Sequence, residues 1–424
     1  MLEYRNVAFA LLAAVLLQLA AGALWIALPL AMDGAGWSRV AIGAVFAAYS
    51  AGFLGGAYFA PTIIRRIGHI RAFAAYAGGA AATTLALALG SDFLAWMVLR
   101  AGFGVCVAGL FAVSESWIAD ATPPHRRGSV LSVYQIAGRA GLIAGPFILA
   151  APPFELTDGF ILAGIALALC LIPVVFTSRV QPSLPSSQSV SPFRLMEIAP
   201  SAAVAVFTAG LVNSAVLAFL PLWAGALPGE AQLGAAAFVV GAAYLGSVLS
   251  QWPAGFISDR FDRRFVIAVL AGAAGAAALV LAVIPTLGVW AGAILAALWG
   301  AASLAYYAVA VAHAVDRSRV EELPAIASGL LMVWAGGAVV GPILGGLAYS
   351  GPLQARGLFL FAAAASVALT AVMLVRRRQR ASVPASEREE FVYLGATSAE
   401  LAEIDTVDTM DAPEPSPVRD KEFP

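Results

Sequence analysis

The chain has 424 residues, of which 61% are hydrophobic and 12% are charged, and its formal net charge is -1 at pH 7. Soluble globular domains carry about 45–50% apolar and about 25% charged residues, so this composition excludes a water-soluble fold and requires lipid as the solvent for much of the surface. The small net charge gives no indication of a nucleic-acid partner. Cys106 and Cys170 lie in apolar runs and predict neither a disulfide framework nor a metal site.

Twelve apolar segments are long enough to cross a bilayer, which takes about 20 mostly apolar residues in a helix. The first is longer than the apolar core of about 7–15 residues in a secretory signal peptide, so we expect it to remain as an uncleaved span. The predicted spans are residues 7–32, 39–62, 72–90, 93–119, 129–151 and 158–177, followed by 199–224, 234–257, 265–284, 287–312, 325–349 and 355–375.

The composition divides the chain into four parts. Residues 1–178 and 199–378 hold six predicted spans each, and residues 179–198 between them are predicted to be a cytoplasmic linker. The Pro and Ser content of residues 179–192 predicts that this part of the linker is flexible. Residues 379–424 are polar and acidic, with too little apolar surface for a core, and are predicted to be a disordered cytoplasmic tail.

Arginines concentrate in alternate connections between the spans. Because Lys and Arg are in excess in cytoplasmic loops, both termini are predicted to be cytoplasmic. One side holds Arg65, Arg66, Arg71, Arg126, Arg127, Arg179, Arg194, Arg260, Arg263, Arg264, Arg317, Arg319, Arg376, Arg377 and Arg378, and the other side holds Arg39 and Arg356.

Three features of the first half recur in the second half at offsets of 192, 194 and 196 residues. They are a Leu-Pro-Leu end of the first span (residues 24–30 and 216–222), an arginine-rich loop (residues 65–71 and 259–264) and a Gly-Pro pair (residues 145–146 and 341–342). This repetition predicts an all-α membrane protein of twelve transmembrane helices in two pseudo-symmetric six-helix bundles, an arrangement of secondary transporters.

The loop at residues 255–264 reads GFISDRFDRR and resembles the G-x-x-x-D-R-x-G-R-R signature of the major facilitator superfamily. The resemblance extends over residues 5–378 and implies a cytoplasmic gate that latches in the outward-facing state. A purely topological role for these arginines stays open. The predicted gate residues are Gly255, Asp259, Arg260, Arg263 and Arg264, with Arg66, Gly68 and Arg71 from the first-half copy.

The first-half copy of this loop departs from the signature. Arg65 stands where the signature has Asp, Pro61 replaces its Gly, and His69 takes an Arg position. We therefore expect either an asymmetric gate or a first-half copy that does not latch at all. This loop, together with an ESW sequence in the fourth span, resembles a little-characterised bacterial branch of the superfamily, and that resemblance implies no substrate.

The fifth and eleventh spans carry glycines spaced four residues apart beside a proline. Such spacing permits close helix packing in lipid. The eleventh span matches the superfamily motif G-x-x-x-G-P-x-x-G-G, which is associated with antiporters and implies export, although close packing alone also explains the glycines. The predicted packing residues are Gly141, Gly145, Pro146, Gly337, Gly341, Pro342, Gly345 and Gly346.

Three ionisable residues, Arg100, Glu115 and Arg139, lie inside predicted spans. Each costs about 2.5–3.5 kcal/mol at the bilayer centre, so we expect them to face a pathway or an internal partner. Arg100 begins a sequence similar to the superfamily's fourth-helix motif R-x-x-x-G-x-G, one residue shorter, which implies a role in proton translocation. The hypothesis is that Glu115 titrates and is coupled to Arg139, and the alternative is a permanent salt bridge between two helices.

Polar and aromatic side chains in the odd-numbered spans and the tenth span are candidate substrate contacts, because binding sites pair apolar walls with a few polar groups. Packing or a place in the interfacial aromatic belt is the alternative for each tryptophan. The candidates are Gln18, Trp25, Asn213, Trp223, Trp299, Tyr306, Tyr307 and Trp334.

Together these features predict a secondary active transporter: a proton-coupled exporter of a small amphipathic or drug-like molecule. We expect a monomer in a bacterial inner membrane, without cofactor or metal. A proton-coupled nutrient uptake symporter and a non-transporting scaffold or receptor remain alternatives. An enzyme is not expected, because the histidines lack partners at metal or nucleophile spacing, and no phosphate-binding loop indicates ATP as the driving force.

Overall fold

A computed structural model describes residues 2–122, 127–175, 192–284, 287–318 and 322–379. Within these ranges the regular structure is helical, and no strand occurs. The first half contains α1 (Leu2–Gly34), α2 (Arg39–Ile67), α3 (His69–Ala86), α4 (Phe93–Ala121), α5 (Arg127–Ala150), α6 (Asp158–Leu169) and α7 (Leu171–Val175). The second contains α8 (Pro192–Ile198), α9 (Pro200–Gly225), α10 (Gln232–Arg260), α11 (Arg263–Val283), α12 (Val289–Ser303), α13 (Tyr306–Val315), α14 (Leu323–Ser350) and α15 (Ala355–Gln379).

Eleven helical segments of the described chain are long and apolar enough to cross a membrane, and this confirms the predicted all-α class. The predicted span at 158–177 is formed by α6 and α7, which are separated at Cys170 and are shorter than the others. Helices α12 and α13 together make one span, Val289–Val315. The predicted acidic tail lies outside the described residues, apart from Gln379 at the end of α15.

The predicted linker, residues 179–198, is described only from residue 192 onward. There it forms the helix α8. Leu195 of α8 is fully buried in a cluster with side chains of α9. The stretch predicted to be flexible, residues 179–192, lies outside the described residues apart from Pro192.

The two halves repeat one packing pattern. In the first half α1 packs against α5, α2 against α4 and α3 against α6; in the second half α9 packs against α14, α10 against α12 and α11 against α15. Across the halves α2 meets α14, and its symmetry mate α10 meets α5. This pattern is that of two six-helix bundles related by a pseudo-twofold axis.

Glycines set the closest helix contacts within each half. A Cβ atom added at Gly141 or Gly145 of α5 would overlap the backbone oxygens of Val15 and Leu19 in α1. In the second half Gly337 and Gly341 of α14 stand in the same relation to α9, next to the carbonyl oxygens of Phe207 and Leu211. The backbones therefore approach directly, as small residues four apart allow in lipid. Pro146 lies against Gly22 of α1, and Gly345 lies against Ala215 of α9.

The halves are closed against each other at one end. We call the end that carries residues 65–71 and 260–264 the arginine-rich end, and the end that carries residues 34–39 and 350–355 the opposite end. Toward the opposite end, Gly43 of α2 abuts the Pro342 carbonyl of α14, and Gly346 of α14 abuts the Arg39 carbonyl.

Two side-chain contacts between the halves, Arg39 with Tyr349 and Phe147 with Gly241, add to this closure. The Arg39 guanidinium lies 5.0 Å from the ring centroid of Tyr349 in α14. Arg39 is also ion-paired with Asp33 at the end of α1. The ring of Phe147 in α5 covers Gly241 of α10. Contacts of α2 with α14 and of α5 with α10 thus block this end.

Neighbouring glycines of α14 provide a test of this packing. Gly337→Ala places a methyl group into the α9 backbone, and overpacking of this kind typically costs about 1–3 kcal/mol. Gly336 has no atom within 4 Å of an added Cβ, so Gly336→Ala gains helix propensity without a clash. We expect Gly337→Ala to lower the thermal unfolding midpoint of the detergent-purified protein and Gly336→Ala to leave it unchanged or raise it. Equal midpoints for the two variants would contradict this packing.

Candidate transport site

An aromatic cluster joins α1, α2 and α4 in the part of the first half nearer the opposite end. The Trp25 ring stacks on Phe46 with 5.3 Å between centroids, and it meets Tyr49 edge-on at 6.2 Å. Tyr49 in turn lies 5.9 Å from Phe103. Trp25 lies between two and three turns before the end of α1, and Tyr49 lies between two and three turns after the start of α2. Because each residue of a helix rises about 1.5 Å, the two rings lie at similar depths.

Arg100 of α4 points its guanidinium into this cluster. The side chain is 3% exposed, and its Cζ lies 4.7 Å from the Tyr49 ring centroid and 4.9 Å from that of Phe103. In the described chain its Nε and Nη1 atoms are buried and have no hydrogen-bond partner. Ring faces attract a desolvated cation, but they leave N–H donors unused.

The cluster lies near the other half of the protein. Helix α1 contacts α2, α5 and α6 of its own half and α9 of the other half. Trp25 and Gln18 on α1 are half-buried. From the second half, Trp334 of α14 reaches Phe53 of α2 at 6.3 Å.

Arg139 of α5 brings a second guanidinium to this region. It is half-buried and lies within electrostatic range of Tyr244 of α10, in the other half. Tyr244 is also within electrostatic range of Tyr49. Polar groups of both halves therefore meet here, and sequence reasoning missed both tyrosines. Their offset of 195 residues, which matches the repeat, was the available signal.

Glu115 lies deeper toward the arginine-rich end. It is 0% exposed, about 9 Å along α4 from the end of that helix, and it interacts electrostatically with Tyr134 of α5. Arg139 lies about 18 Å from the start of α5, so the two charges differ in depth by about 9 Å. The coupling of Glu115 to Arg139 stays a prediction, and the structure adds Tyr134 as a neighbour of the carboxylate.

The predicted contacts of the second half are engaged in packing. Asn213 of α9 donates from Nδ2 to the Ser303 carbonyl at 3.3 Å and accepts from Ser303 Oγ at 2.6 Å. Ser303 ends α12, where the tenth span is interrupted, and its carbonyl there needs a partner outside the helix. Asn213 therefore hydrogen-bonds the Ser303 groups at the break between α12 and α13.

The aromatic candidates of this half lie among its own helices. Trp299 and Tyr306 are fully buried, and Tyr307 is buried beside them. Trp223 is half-buried and meets Phe359 of α15 edge-on at 5.1 Å. The half-buried candidates of both halves are accordingly Gln18, Trp25, Trp223 and Trp334.

The arginine-rich loop of the second half forms a network of buried ion pairs. Arg263 Nε donates to Asp316 Oδ2 at 2.7 Å, and its Nη2 lies 3.4 Å from Asp259 Oδ1. Asp316 follows α13, so this pair fastens the start of α11 to the end of the tenth span. Arg260 is exposed and packs on the ring of Phe256, and Gly255 is buried in α10.

Arg264 fastens the same loop to the last span. It pairs with Asp262 at 2.9 Å and donates from Nη1 to the Arg376 carbonyl of α15 at 3.1 Å. Burial alone would raise the pKa of Asp262, but hydrogen bonds from the Arg264 side chain and backbone N–H outweigh it and lower that pKa. The stabilisation is present above the ordinary aspartate pKa and is lost as the pH falls through the lowered value. These contacts lie within the second half.

The first-half loop has different contacts from this network. Gly68 has φ 82 and forms the turn between α2 and α3, a conformation that favours glycine. His69 is buried, and its Nε2 lies 2.9 Å from Ser116 Oγ of α4. This contact joins the third span to the fourth, as the pair of Arg263 and Asp316 joins the ninth span to the tenth. Arg66 and Arg71 are exposed. The side-chain contacts of the two loops therefore differ, and the asymmetry of the gate stays a prediction.

Comparisons with known proteins agree with this architecture. The sequence profile of the Major Facilitator Superfamily matches residues 10–230 and again 202–420, one match for each half. An uncharacterized MFS-type transporter, YcaD, of Salmonella enteritidis PT4 is 28% identical over 359 residues, which cover 80% of this chain and 87% of that protein. YcaD of Salmonella arizonae is 27% identical over 351 residues, with the same coverage.

Solved structures share the fold at low identity. A bacterial homolog of the human lysosomal transporter Spinster, in an inward-facing and occupied conformation, gives a TM-score of 0.72 at 16% identity and covers 90% of this chain and 97% of its own. The nucleoside transporter NupG gives a TM-score of 0.72 at 15% identity, with 88% and 98% covered. At such identities the likeness shows the fold alone.

Arg263 pairs with two carboxylates that differ in burial, and this difference predicts different contributions to stability. The Asp316 side chain is 2% exposed and that of Asp259 is 33% exposed. Loss of one partner of a buried ion pair costs as much as about 3–5 kcal/mol, whereas an exposed pair contributes about 0–1 kcal/mol. We expect Asp316→Asn to lower the thermal unfolding midpoint strongly and Asp259→Asn to lower it little. The reverse order would show that Asp316 does not hold α11 to the tenth span.

Proposed function

Because this chain belongs to the major facilitator superfamily, we propose that it is a secondary active transporter that exports a small amphipathic molecule in exchange for protons by alternating access. One observation carries the proposal: half-buried aromatic and polar side chains of both halves, Trp25, Tyr49, Arg139 and Trp334, lie where the two halves face each other. Halves that rock about such a central site alternately open it to the two sides of the membrane.

The arginine distribution supports an orientation for this conformation. If the arginine-rich end is cytoplasmic, as the excess of Arg predicts, the closed opposite end faces the periplasm of a bacterial inner membrane. The conformation is then inward-facing, with the periplasmic side blocked by Gly43, Gly346 and Phe147. In the outward-facing state the predicted gate residues of the arginine-rich end would come together. Of the gate arginines, Arg66 and Arg71 of the first half and Arg260 of the second are exposed. Arg263 and Arg264 of the second half are held by Asp316 and Asp262.

Glu115 is our candidate for the proton-binding group. A carboxylate inside a span is costly unless it is partnered or functional, and Glu115 lies on the same helix as Arg100. Its position at a depth between the substrate cluster and the arginine-rich end suits a group that exchanges protons with the cytoplasm. Binding of a proton there would alter the electrostatics that Tyr134 and Arg139 of α5 experience.

Transport itself is tested in proteoliposomes that carry an imposed pH gradient and a library of amphipathic solutes. We expect at least one solute to accumulate against its concentration gradient on the side that supplies protons. An uncoupler that collapses the pH gradient should abolish the accumulation, and protein-free liposomes should show none. Accumulation that follows the proton flow would favour the uptake symporter, and no movement of any solute under either condition would favour a scaffold or receptor.

Substitution of Glu115 separates proton coupling from substrate movement. We expect Glu115→Gln to abolish gradient-driven accumulation while solute exchange at equal pH continues, because exchange needs no net proton transfer. Glu197→Gln removes an exposed carboxylate of α8 and serves as the matched control with unchanged accumulation. If Glu115→Gln still drives accumulation at the wild-type rate, Glu115 is not the coupling residue.

A further inference from the structure

We propose that Arg100 binds the anionic group of the substrate and that the substrate is an organic anion with a planar apolar body, such as an aromatic carboxylate. This inference rests on the proposed function only in assigning the cluster around Arg100 to transport. The binding chemistry follows from the environment of the guanidinium itself.

The surroundings of Arg100 compensate its charge only in part. Three rings face it, Tyr49, Phe103 and Phe46, the last at 6.0 Å. Their negative faces attract the cation, yet its Nε and Nη1 donors remain buried without a hydrogen-bond partner. Buried donors of a charged group are costly to leave unpaired. An anion would take these donors, and the planar fork of arginine suits carboxylate oxygens in a bidentate geometry.

The described part of the chain offers no carboxylate for this purpose. Asp33 is ion-paired with Arg39 at the opposite end, and Asp92 caps the start of α4. Glu115 lies fifteen residues further along α4, about 22 Å away. The other described acids lie in connections or at helix ends. Among the described residues no carboxylate compensates Arg100, and an anionic ligand would supply the counter-charge.

The charge of Arg100 itself favours an anion over a cation. In a low-dielectric interior this charge repels cations and attracts anions.

The rings define the rest of the ligand. Trp25 and Phe46 are stacked with 23° between their planes, and they form a flat apolar wall beside the guanidinium. Tyr49 is half-buried and its ring lies over the Arg100 guanidinium, so a rotation of this ring would bring an anion within reach of Nε and Nη1. A ligand with a planar apolar body and an anionic group would pack on this wall and pair with Arg100 at the same time.

A series of ligands with one ring system and different head groups tests the inference. We would measure binding of 2-naphthoate, 2-naphthamide and 2-naphthylmethylamine to the purified full-length protein by ligand-induced shifts of the thermal midpoint. We expect 2-naphthoate to bind at least tenfold more tightly than the neutral amide and the cationic amine. Equal binding of the three compounds, or preference for the amine, would overturn the inference.

Variants of Arg100 assign the preference to this residue. We expect Arg100→Gln to weaken 2-naphthoate binding about 10- to 100-fold, which corresponds to the loss of a charge-assisted hydrogen bond. Arg100→Lys keeps the charge and loses the fork, so we expect an intermediate loss, and this variant decides the matter if the glutamine variant does not fold. Arg356→Gln removes an exposed arginine at the opposite end and should bind as the wild type does. Wild-type affinity in both Arg100 variants would overturn the inference.

Failure of the anion site and failure of transport give different results. Arg100-dependent binding of 2-naphthoate, with no solute moved in proteoliposomes, would uphold the anion site and refute transport. Movement of neutral or cationic solutes that 2-naphthoate does not inhibit would uphold transport and refute the anion site.

Discussion

The cost of placing charge in a medium without water governs this structure. Arg263 and Arg264 are as deeply buried as Arg100, but they lie at the arginine-rich end, where carboxylates of neighbouring loops reach them. Arg100 lies inside a span and is surrounded by rings. The same residue type thus has two roles, which are distinguished by its partners: a guanidinium with carboxylates fastens helices together, and one with unused donors is prepared for a ligand.

The two halves share their packing and differ in their charges. The glycines of α5 and α14 bring α1 and α9 into equivalent backbone contact, so the pseudo-twofold axis depends on backbone shape. The charged network at the arginine-rich end belongs to the second half, whereas the arginines and the glutamate inside spans belong to the first. The packing allows the charged residues to differ between the halves, because it requires small residues only where the backbones touch.

The sequence predicted the features that depend on depth along a helix. Span positions, the repeat and the class of fold follow from apolar length and motif spacing. Features that depend on which way a helix face points were not predictable, because a helix in lipid is apolar on all sides and lacks the periodicity that marks a buried face in soluble proteins. Trp25 and Trp299 therefore look alike in the sequence, although Trp25 is half-buried beside Tyr49 and Trp299 is fully buried. The interruption after Ser303 was missed because neither Pro nor Gly occupies residues 301–306.

The tyrosines Tyr49 and Tyr244 occupy equivalent positions of α2 and α10 and approach each other across the pseudo-twofold axis. A site built only from such pairs would accept a ligand in two equivalent orientations. Arg100 breaks this equivalence, since the position 195 residues later is Leu295. An anionic group held by Arg100 would stay with the first half while the halves rock, and the apolar body would exchange neighbours in the second half. Because only the first half carries this arginine, the ligand would keep one orientation through the transport cycle. A site with the same residues in both halves would not fix the orientation.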